Sequence, residues 1–543
     1  MGLIAKKGEV LEVDFFYNKT FKEIEIDVII KDSEGFFRAI AFWKGSNKWA
    51  VRFIPQIVGT LTLKAICSNG EEIFLEEVKV VNSNIEVLDL KLSANKEYLI
   101  QNSKPVFWLS DTWWMALCGR LSFEDFKELA NIRKEQGFNT IQLVAGLFPD
   151  MDSFDKRGAN RGGFVWQEGY DEINPNFFEI ADKKIKYLYS LGFNIAIVGA
   201  WGYYLEKMGI EKMKKHWRYI IARWGVYSSI YIAAGEATMP FYLSKNRDSE
   251  SKRLKRGWSE ILEYIKKIDP FNRVLTIHPI EISLNEIEDK KLIDINLVQA
   301  SHSSYESIKK GINLLQNSTS IMATIMDEIN YEGILRDNHD GVIRLSFWKS
   351  ILNNSKGFGY GANGIWQVNQ ESKPFGPSPH GAAWGDISYK RAIAFKGAED
   401  IANSKAFLEE FEWWKLKSIN NLEPKVDKND PKSPLVATIE NKIFIAYFYN
   451  PIAPWDIHYT FCNLESNKEY IYYYYSPNTY LKTKPLLITT NSSGKWQMPT
   501  PPSLDDWILV LKSNNKPTLN KTKPLYKRVI NKVLSKLLFK GKS

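Results

Sequence analysis

Two glutamates stand directly after short apolar runs that have the length of buried β-strands. Glu236 closes the run Ile230-Tyr-Ile-Ala-Ala-Gly, and Glu328 follows Ile321-Met-Ala-Thr-Ile-Met-Asp327. Two carboxyl groups at one site can divide acid–base work, because one can hold a proton while the other stays ionised. Cleavage of a glycosidic bond requires such a pair: one acid protonates the departing oxygen, and the other attacks the anomeric carbon or activates water.

Residues of sugar-binding types follow the other apolar runs of this kind. Indole faces stack on sugar rings, and carboxylate, amide and imidazole groups bind sugar hydroxyls. We therefore predict a substrate-binding set at these positions. Its members are Asp111, Trp113, Trp114, Trp201, His278, His302, Asp327, Trp366 and Gln367.

Each of these residues also has a structural interpretation. An acid at a strand end can cap a helix or join a salt bridge, and a tryptophan can fill the core. Asp327 could exchange roles with Glu328. We interpret His278 and His302 as sugar partners or as groups that tune carboxyl pKa values, and we predict neither a metal site nor a cofactor.

The elements that must position the pair form an alternating pattern over roughly 300 residues. Eight apolar runs alternate with amphipathic helical segments, which predicts a (β/α)₈ TIM barrel in the α/β class, and the carboxyl ends of its strands form one active-site face. The predicted strands are 106–110, 140–144, 195–199, 230–234, 274–277, 295–300, 321–326 and 364–368.

Strand-like segments with a period of two flank this pattern on both sides. We predict an immunoglobulin-like β-sandwich over 1–85, the barrel over 86–415, a second β-sandwich over 416–512 and a basic tail over 513–543. This division fits the length of 543 residues, which exceeds what one compact core supports.

Composition narrows the class of function. Aromatic residues make up 14% of the chain, with 18 Trp among them, which favours sugar binding without requiring it. The three cysteines, Cys67, Cys118 and Cys462, have neither disulfide-framework nor zinc-site spacing. No segment is typical of a signal peptide or a membrane span, so we expect a cytoplasmic location.

The net charge of +9 lies in the tail. Residues 513–543 carry nine Lys or Arg and no acid, so the remaining chain is neutral and binding of nucleic acid by the body is not expected. Within 524–540 the apolar residues fall on one helical face with lysines opposite, a pattern typical of helices that lie on anionic membranes. We hypothesise that the tail holds the protein at the inner membrane face; the alternative is a solubilising tail.

Motifs spread over the central segment suggest a family. They are Ser110-Asp-Thr-Trp-Trp, Gln136-Gly-Phe-Asn-Thr-Ile-Gln142, Gly235-Glu236, Thr276-Ile-His278-Pro, Gln299-x-Ser-His302, Asp327-Glu-x-x-Tyr-Glu332 and Gly357-Phe-Gly-Tyr-Gly-Ala-Asn-Gly-Ile-Trp366. With them, the central segment resembles the apiosidase-like glycoside hydrolases of family 140 and its relatives. Trp49-Ala-Val-Arg52-Phe-Ile-Pro is similar to the sandwich that precedes such barrels. Pro502-Ser-Leu-Asp-Asp-Trp507 resembles the end of a following β domain sometimes labelled collagen-binding.

The resemblance implies a role for each glutamate. The strand-four acid would be the proton donor and the strand-seven glutamate the nucleophile of a retaining hydrolase, which map to Glu236 and Glu328. It also adds Gln142 and Tyr331 to the predicted substrate-binding set. One departure concerns Glu236: relatives commonly have Asp there, and the extra methylene shifts the point of proton delivery, which argues against simply transferring the apiose specificity.

Other functions are compatible with the same residues. A non-catalytic scaffold that binds carbohydrate or membrane could retain the barrel, although intact carboxylates at both strands favour catalysis. Transglycosylation to an acceptor other than water would use the same pair. The main hypothesis is hydrolysis of a poly- or oligosaccharide.

Overall fold

The computed structural model describes residues 3–318, 322–335, 337–427, 430–449 and 459–514. Within them the chain forms an N-terminal β domain, a central barrel and a C-terminal β domain, so the predicted fold class is confirmed. The immunoglobulin-like and collagen-binding identities of the flanking domains, and the exact domain boundaries, stay predictions.

The N-terminal domain is a seven-stranded sheet with the order β1-β7-β6-β3-β4-β5-β2. Strand β6 buries every second residue, as expected for a sheet with one face on a core. The strands are β1 (Leu3–Lys6), β2 (Leu11–Phe16), β3 (Ile26–Lys31), β4 (Phe36–Gly45), β5 (Lys48–Phe53), β6 (Gly59–Cys67) and β7 (Glu72–Val81). A small sheet of β8 (Leu90–Leu92), β9 (Leu99–Gln101) and β10 (Lys104–Val106) leads into the barrel.

Eight parallel strands form the barrel in the order β15-β14-β13-β12-β11-β18-β17-β16. They are β11 (Trp108–Thr112), β12 (Thr140–Val144), β13 (Asn194–Trp201), β14 (Ser229–Gly235), β15 (Leu275–Thr276), β16 (Asn296–Gln299), β17 (Thr324–Glu328) and β18 (Gly357–Tyr360). The barrel is nearly closed: β15 and β16 are not paired along their length. An Ile282–Val298 bridge and a 2.9 Å bond from Gln299 N–H to the Glu281 carbonyl join the chain after β15 to β16.

Helices cover the outside of the barrel. They are α1 (Phe123–Gln136), α2 (Pro175–Ser190), α3 (Tyr204–Met208), α4 (Ile210–Trp224), α5 (Arg247–Ile268), α6 (Tyr305–Asn317), α7 (Asp340–Leu352), α8 (Tyr389–Ala392) and α9 (Lys396–Leu408). The Ser122 side chain caps α1 by accepting from the Asp125 N–H, and Gly137 ends it with a φ of 110°.

The eighth barrel strand differs from the prediction. The structure places it at Gly357–Tyr360, whereas residues 364–368 lie in the turns that follow. The glycines that lower the β-propensity of this segment are required by packing, because a Cβ on Gly359 would collide with the Asp327 carbonyl and one on Gly357 with Trp108. Sequence periodicity therefore favoured the more apolar segment downstream.

The C-terminal domain is a sandwich of two sheets. Their orders are β19-β21-β22-β27-β24-β25 and β20-β23-β26, and Leu422 and Phe461 of the smaller sheet share a core with Phe444 and Leu509 of the larger one. The strands are β19 (Lys417–Ile419), β20 (Leu422–Glu423), β21 (Leu435–Ile439), β22 (Ile443–Phe448), β23 (Thr460–Phe461), β24 (Glu469–Tyr475), β25 (Leu486–Thr489), β26 (Trp496–Gln497) and β27 (Trp507–Ser513).

Buried charge joins the N-terminal domain to the barrel. Arg52 of β5 pairs with Asp182 of α2 and donates to the Arg223 carbonyl at 2.7 Å. Asp182 Oδ1 also accepts from Arg223 Nε at 3.0 Å and from Trp224 Nε1 at 2.7 Å. Burial alone would raise the pKa of Asp182, but the two guanidinium groups hold it well below its ordinary value.

Stacked aromatic rings join the C-terminal sandwich to α7 and α9. Phe407 stacks on Tyr475 at 4.1 Å between centroids, and Trp348 stacks on Tyr447 at 6.0 Å. Arg344 Nε contributes a buried 2.8 Å ion pair to Asp506. Both flanking domains are thus fixed to the helical outside of the barrel.

None of the helices within the described residues combines the length and apolarity needed to cross a membrane. The tail prediction falls on 524–540, which lie outside the described part of the chain, so it stays a prediction.

Candidate active site

The two glutamates predicted from the sequence reach the same mouth of the barrel. Glu236 follows the last residue of β14, and Glu328 is the last residue of β17. The Glu236 backbone has a φ of 42°, a left-handed conformation that costs energy for a side chain with a Cβ. This conformation sits where the strand ends and the carboxyl group turns into the mouth.

One amide group joins the pair. Gln299, the last residue of β16, donates from Nε2 to Glu328 Oε1 at 2.8 Å and to Glu236 Oε1 at 3.2 Å. Because both oxygens accept from one nitrogen, they lie at most about 6 Å apart. The two carboxyl groups therefore face each other across a single site.

Two imidazoles and a hydroxyl surround Glu328, which is only 5% exposed. Tyr331 Oη donates to Oε2 at 2.6 Å, His302 Nε2 lies 3.3 Å from Oε1, and His278 Nε2 lies 3.5 Å from Oε2. Burial alone would raise the pKa of Glu328, but hydrogen bonding and positive charge from the two imidazoles hold it well below its ordinary value. Glu328 is thus an ionised carboxylate at neutral pH.

A chain of buried polar groups supports His278. Its Nδ1 lies 3.1 Å from Asp327 Oδ2, and Asp327 Oδ1 accepts from Gln142 Nε2 at 2.9 Å. Gln142 also donates to Ser110 Oγ at 3.0 Å. Burial opposes the charged imidazole, but the carboxylates of Asp327 and Glu328 outweigh it and raise the pKa of His278 to about 10.

Glu236 has different surroundings and is half-buried. Trp201 Nε1 donates to its Oε2 at 3.1 Å, and Gln299 binds its other oxygen. Burial, and then the negative charge of Glu328, raise the pKa of Glu236 to about 7. The two carboxyl groups thus have pKa values on opposite sides of the ordinary value, as a proton donor and an anion require.

Aromatic rings form one wall of the site. The Trp114 ring centroid lies 5.6 Å from that of Trp201 and 5.5 Å from that of His278, both in edge-to-face contact. Trp201 fills the space over Gly235, where any Cβ would collide with the indole. The close approach to Gly235 fixes the Trp201 indole beside Glu236.

The structure turns two predicted substrate ligands away from the mouth. Asp111 is fully buried and its Oδ2 accepts from Arg133 Nε of α1 at 2.6 Å. Trp113 is also fully buried and packs edge-on against Phe126 of α1 at 5.6 Å. Asp111 points outward from β11, and Trp113, just after the strand, points to the same side, so both are the structural residues of the alternative interpretation.

Two further predicted ligands lie in the turns after β18 rather than at its end. The Trp366 carbonyl accepts from Met115 N–H at 3.0 Å, and the Trp366 ring lies 6.1 Å from Phe375. Gln367 is buried and its Nε2 donates to Asn363 Oδ1 at 3.3 Å. The misplaced eighth strand explains both assignments. Gln142 and Asp327 lie behind the site, where they support His278.

Sequence reasoning missed Gln299 and the residues of the rim. The predicted sixth strand includes Ala300, so the residues after Ala300 were predicted to reach the site. The observed strand ends at Gln299, where its register against β17 shifts. On the rim, Asp150 N–H donates to Tyr242 Oη at 3.0 Å, and Trp384 Nε1 donates to Asp150 Oδ2 at 2.8 Å. All three rim residues stand in loops without periodicity, so no sequence signal marks them.

Within the described residues, no group of three or more His, Cys, Asp and Glu side chains is arranged to hold a metal ion. The chemistry that these residues themselves support is general acid catalysis by Glu236 beside an anionic Glu328.

The sequence model of the apiosidase-like catalytic domain matches residues 93–415. This match spans more than half of the chain and includes both glutamates. The chain belongs to the apiosidase-like family. This apiosidase-like protein is therefore a glycoside hydrolase, and its substrate is a carbohydrate.

Solved structures share the fold of this apiosidase-like protein. A glycoside hydrolase family 5 protein from Bacteroides vulgatus aligns with a TM-score of 0.64 at 19% identity, covering 80% of this chain and 96% of that one. A second glycoside hydrolase aligns with a TM-score of 0.64 at 18% identity over 79% and 98% of the two chains. At these identities the likeness establishes the fold alone. No curated protein matches the chain.

Proposed function

We propose that the protein is a retaining glycoside hydrolase in which Glu236 is the general acid/base and Glu328 the nucleophile. The observation that carries the proposal is the Gln299 amide, which contacts both carboxyl groups at 2.8 and 3.2 Å. Retaining enzymes separate the two groups by about 5–5.5 Å and inverting enzymes by about 6.5–9.5 Å. A shared amide supports the shorter separation, which leaves no room for a water molecule between Glu328 and the sugar.

The reaction takes place in two displacements. Glu328 attacks the anomeric carbon while the bond to the leaving oxygen breaks, and Glu236 delivers its proton to that oxygen. Glu236, now ionised, then takes a proton from water as the water oxygen attacks the same carbon and the ester to Glu328 breaks. The pKa of about 7 at Glu236 suits both tasks near neutral pH.

His278, His302 and Tyr331 keep the nucleophile ionised and oriented. Their distances of 2.6 to 3.5 Å to the Glu328 oxygens are short enough to stabilise the charge of the carboxylate. Asp327 acts through His278 as a positioning residue. The glycan is an oligo- or polysaccharide, and the longer side chain of Glu236 argues against transferring the apiose specificity of the family.

Chemical rescue tests the two assignments separately. With a nitrophenyl glycoside that the wild-type enzyme cleaves, we expect Glu328→Ala and Glu236→Ala to lose about 10²–10⁴-fold or more in turnover. Azide should restore both, giving a glycosyl azide of inverted configuration with Glu328→Ala and of retained configuration with Glu236→Ala.

Glu332→Gln is the matched control, because this buried glutamate accepts from Tyr360 Oη and the Gly397 N–H instead. It should leave the configuration of the product unchanged and retain turnover. An inverted sugar released by the wild-type enzyme, or azide products with the opposite configurations, would contradict the assignment.

A further inference from the structure

Three loops meet in one contact over the mouth of the barrel. Asp150 stands after β12, Tyr242 after β14, and Trp384 in the long connection between β18 and α8. Asp150 is buried and bonds to both others: its N–H donates to Tyr242 Oη, and its Oδ2 accepts from Trp384 Nε1. We call these three residues the clasp.

The clasp connects the loop that carries Glu236 with an imidazole that contacts Glu328. The Trp384 ring lies 6.2 Å from that of His302, whose Nε2 is 3.3 Å from Glu328. Tyr242 follows Glu236 in the same loop. That loop is tied to the loop after β12 by the 3.0 Å bond from Asp150 N–H to Tyr242 Oη.

Trp384 is half-buried, and its one polar atom is already bonded to Asp150. What such an indole offers a ligand is its apolar face, the surface that stacks on the C–H face of a sugar. The inner wall is already formed by Trp114 and Trp201. Glu236, the more exposed of the two carboxyl groups, marks the side on which a leaving group departs.

We propose that Trp384, held in place by Asp150, is the stacking platform for the leaving-group sugar and so determines which glycans are cleaved efficiently. This inference rests on the proposed function, because the leaving-group side is defined by Glu236. Asp150 is a positioning residue: it orients the indole and does not itself contact the reacting bond.

Kinetics on two substrates with the same glycone test the platform in the full-length enzyme. The probes are a 4-nitrophenyl glycoside and the corresponding disaccharide, chosen from those that the wild-type enzyme cleaves. We expect Trp384→Ala to lower kcat/KM on the disaccharide about tenfold, mainly through KM, and to lower it clearly less on the aryl glycoside. Asp150→Ala should also lower kcat/KM more on the disaccharide than on the aryl glycoside, but by a smaller factor than Trp384→Ala. Asp150→Asn retains an oxygen that can accept from the indole, so it should keep most of the wild-type kcat/KM on the disaccharide.

Trp414→Ala is the matched control, since this half-buried indole packs against Tyr98 near the opposite end of the barrel. Thermal unfolding of each variant separates loss of folding from loss of binding, and Trp384→Phe provides a milder change that retains a ring. Equal losses on both substrates, or no loss in folded Trp384→Ala, would overturn the inference.

Sugar binding by an inactive variant tests the role of Trp384 independently of the proposed retaining mechanism. Full-length Glu328→Gln is applied to an array of plant and bacterial oligosaccharides, alone and combined with Trp384→Ala or Trp414→Ala. We expect oligosaccharide binding by Glu328→Gln to fall about tenfold when Trp384→Ala is added and to stay unchanged when Trp414→Ala is added. This expectation holds even if the product configuration contradicts the retaining assignment. The same signal with both double variants, or no sugar binding at all, would refute the platform.

Discussion

Glu236 and Glu328 are the same kind of side chain, yet their neighbours give them opposite tendencies to hold a proton. Glu328 is surrounded by two imidazoles and a phenol, whereas Glu236 has an indole, an amide and the negative charge of Glu328 itself. The left-handed backbone of Glu236 adds strain at the residue that we propose as the proton donor, and such strain is a common feature of functional positions. At this scale, function depends on electrostatic asymmetry.

The first prediction concerns the pH dependence of kcat/KM. Because the pKa of Glu236 is raised to about 7, the acid is protonated below that pH and loses its proton above it, so activity should fall as pH rises past about 7. The lowered pKa of Glu328 keeps the nucleophile ionised far into the acid range, so the acid limb should lie below the ordinary carboxyl pKa. A pH–rate profile measures both limbs, and a basic limb that survives in Glu236→Gln would contradict the assignment.

The second prediction concerns Asp327→Asn. Removing the charge behind His278 should lower the pKa of the imidazole and weaken its stabilisation of the Glu328 anion, so the pKa of Glu328 should rise. We expect kcat/KM to fall roughly tenfold or more and its acid limb to move to higher pH. Asp111→Asn changes an equally buried carboxylate that faces α1 instead, so it serves as the control for a purely structural effect. An unmoved acid limb in folded Asp327→Asn would contradict the role.

Much of the site could be predicted from the sequence, because strand-end positions in a barrel converge whatever the loops do. That rule correctly brought Glu236, Glu328, His278 and Trp201 to one mouth. It could not tell which way each residue points, so Asp111 was assigned to the mouth although it faces α1. Gln299 was missed because apolar Ala300 extended the run beyond the true strand end.

Among the elements, the alternation of apolar runs with amphipathic segments predicted most of the barrel. Seven of the eight predicted strands overlap the observed ones. The sequence pattern misplaced strand β18 because its glycines are required by close packing against neighbouring strands. This requirement comes from the tertiary structure, so a local sequence pattern does not reveal it. A local pattern also cannot predict the junctions between domains, since they pair residues far apart in the sequence, 130 positions for Arg52 and Asp182 and 162 for Arg344 and Asp506.

The third prediction tests the junction between the N-terminal sheet and the barrel. Asp182→Ala would leave Arg52 and Arg223 buried without their carboxylate, which should lower the free energy of unfolding by about 3–5 kcal/mol. Thermal and urea unfolding measure the change. Glu211→Ala, which breaks only an exposed pair with Lys214, should cost less than about 1 kcal/mol. Equal effects of the two variants would show that the buried junction contributes little.

At the scale of the whole molecule, both β domains are fixed to the outside of the barrel by buried ion pairs. Arg52 and Asp182 join the N-terminal sheet, whereas Arg344 and Asp506 join the C-terminal sandwich together with stacked rings, and these contacts involve helices rather than the loops of the mouth. Both domains therefore pack on the helical outside of the barrel. The membrane hypothesis concerns the part of the chain that follows them.

The fourth prediction concerns that tail. We propose that 524–540 bind anionic lipid, because five of the nine cationic residues beyond 512 lie in this segment and each adds about 1 kcal/mol of attraction near such a surface. In co-sedimentation, the full chain should bind vesicles containing phosphatidylserine, whereas a 1–512 truncation and neutral vesicles should show no binding. Added salt should release the full chain. Equal partitioning of the two proteins would refute the proposal.

The unpaired edge between β15 and β16 has a mechanical consequence. Separate bonds, among them Asp294 N–H to the Leu275 carbonyl at 2.8 Å and Gln299 N–H to the Glu281 carbonyl at 2.9 Å, join this edge in place of a continuous ladder, and Gln299, whose amide contacts both carboxyl groups, stands on it. Thermal breathing should begin along this seam, so heat should disable the catalyst a few degrees before the scaffold melts.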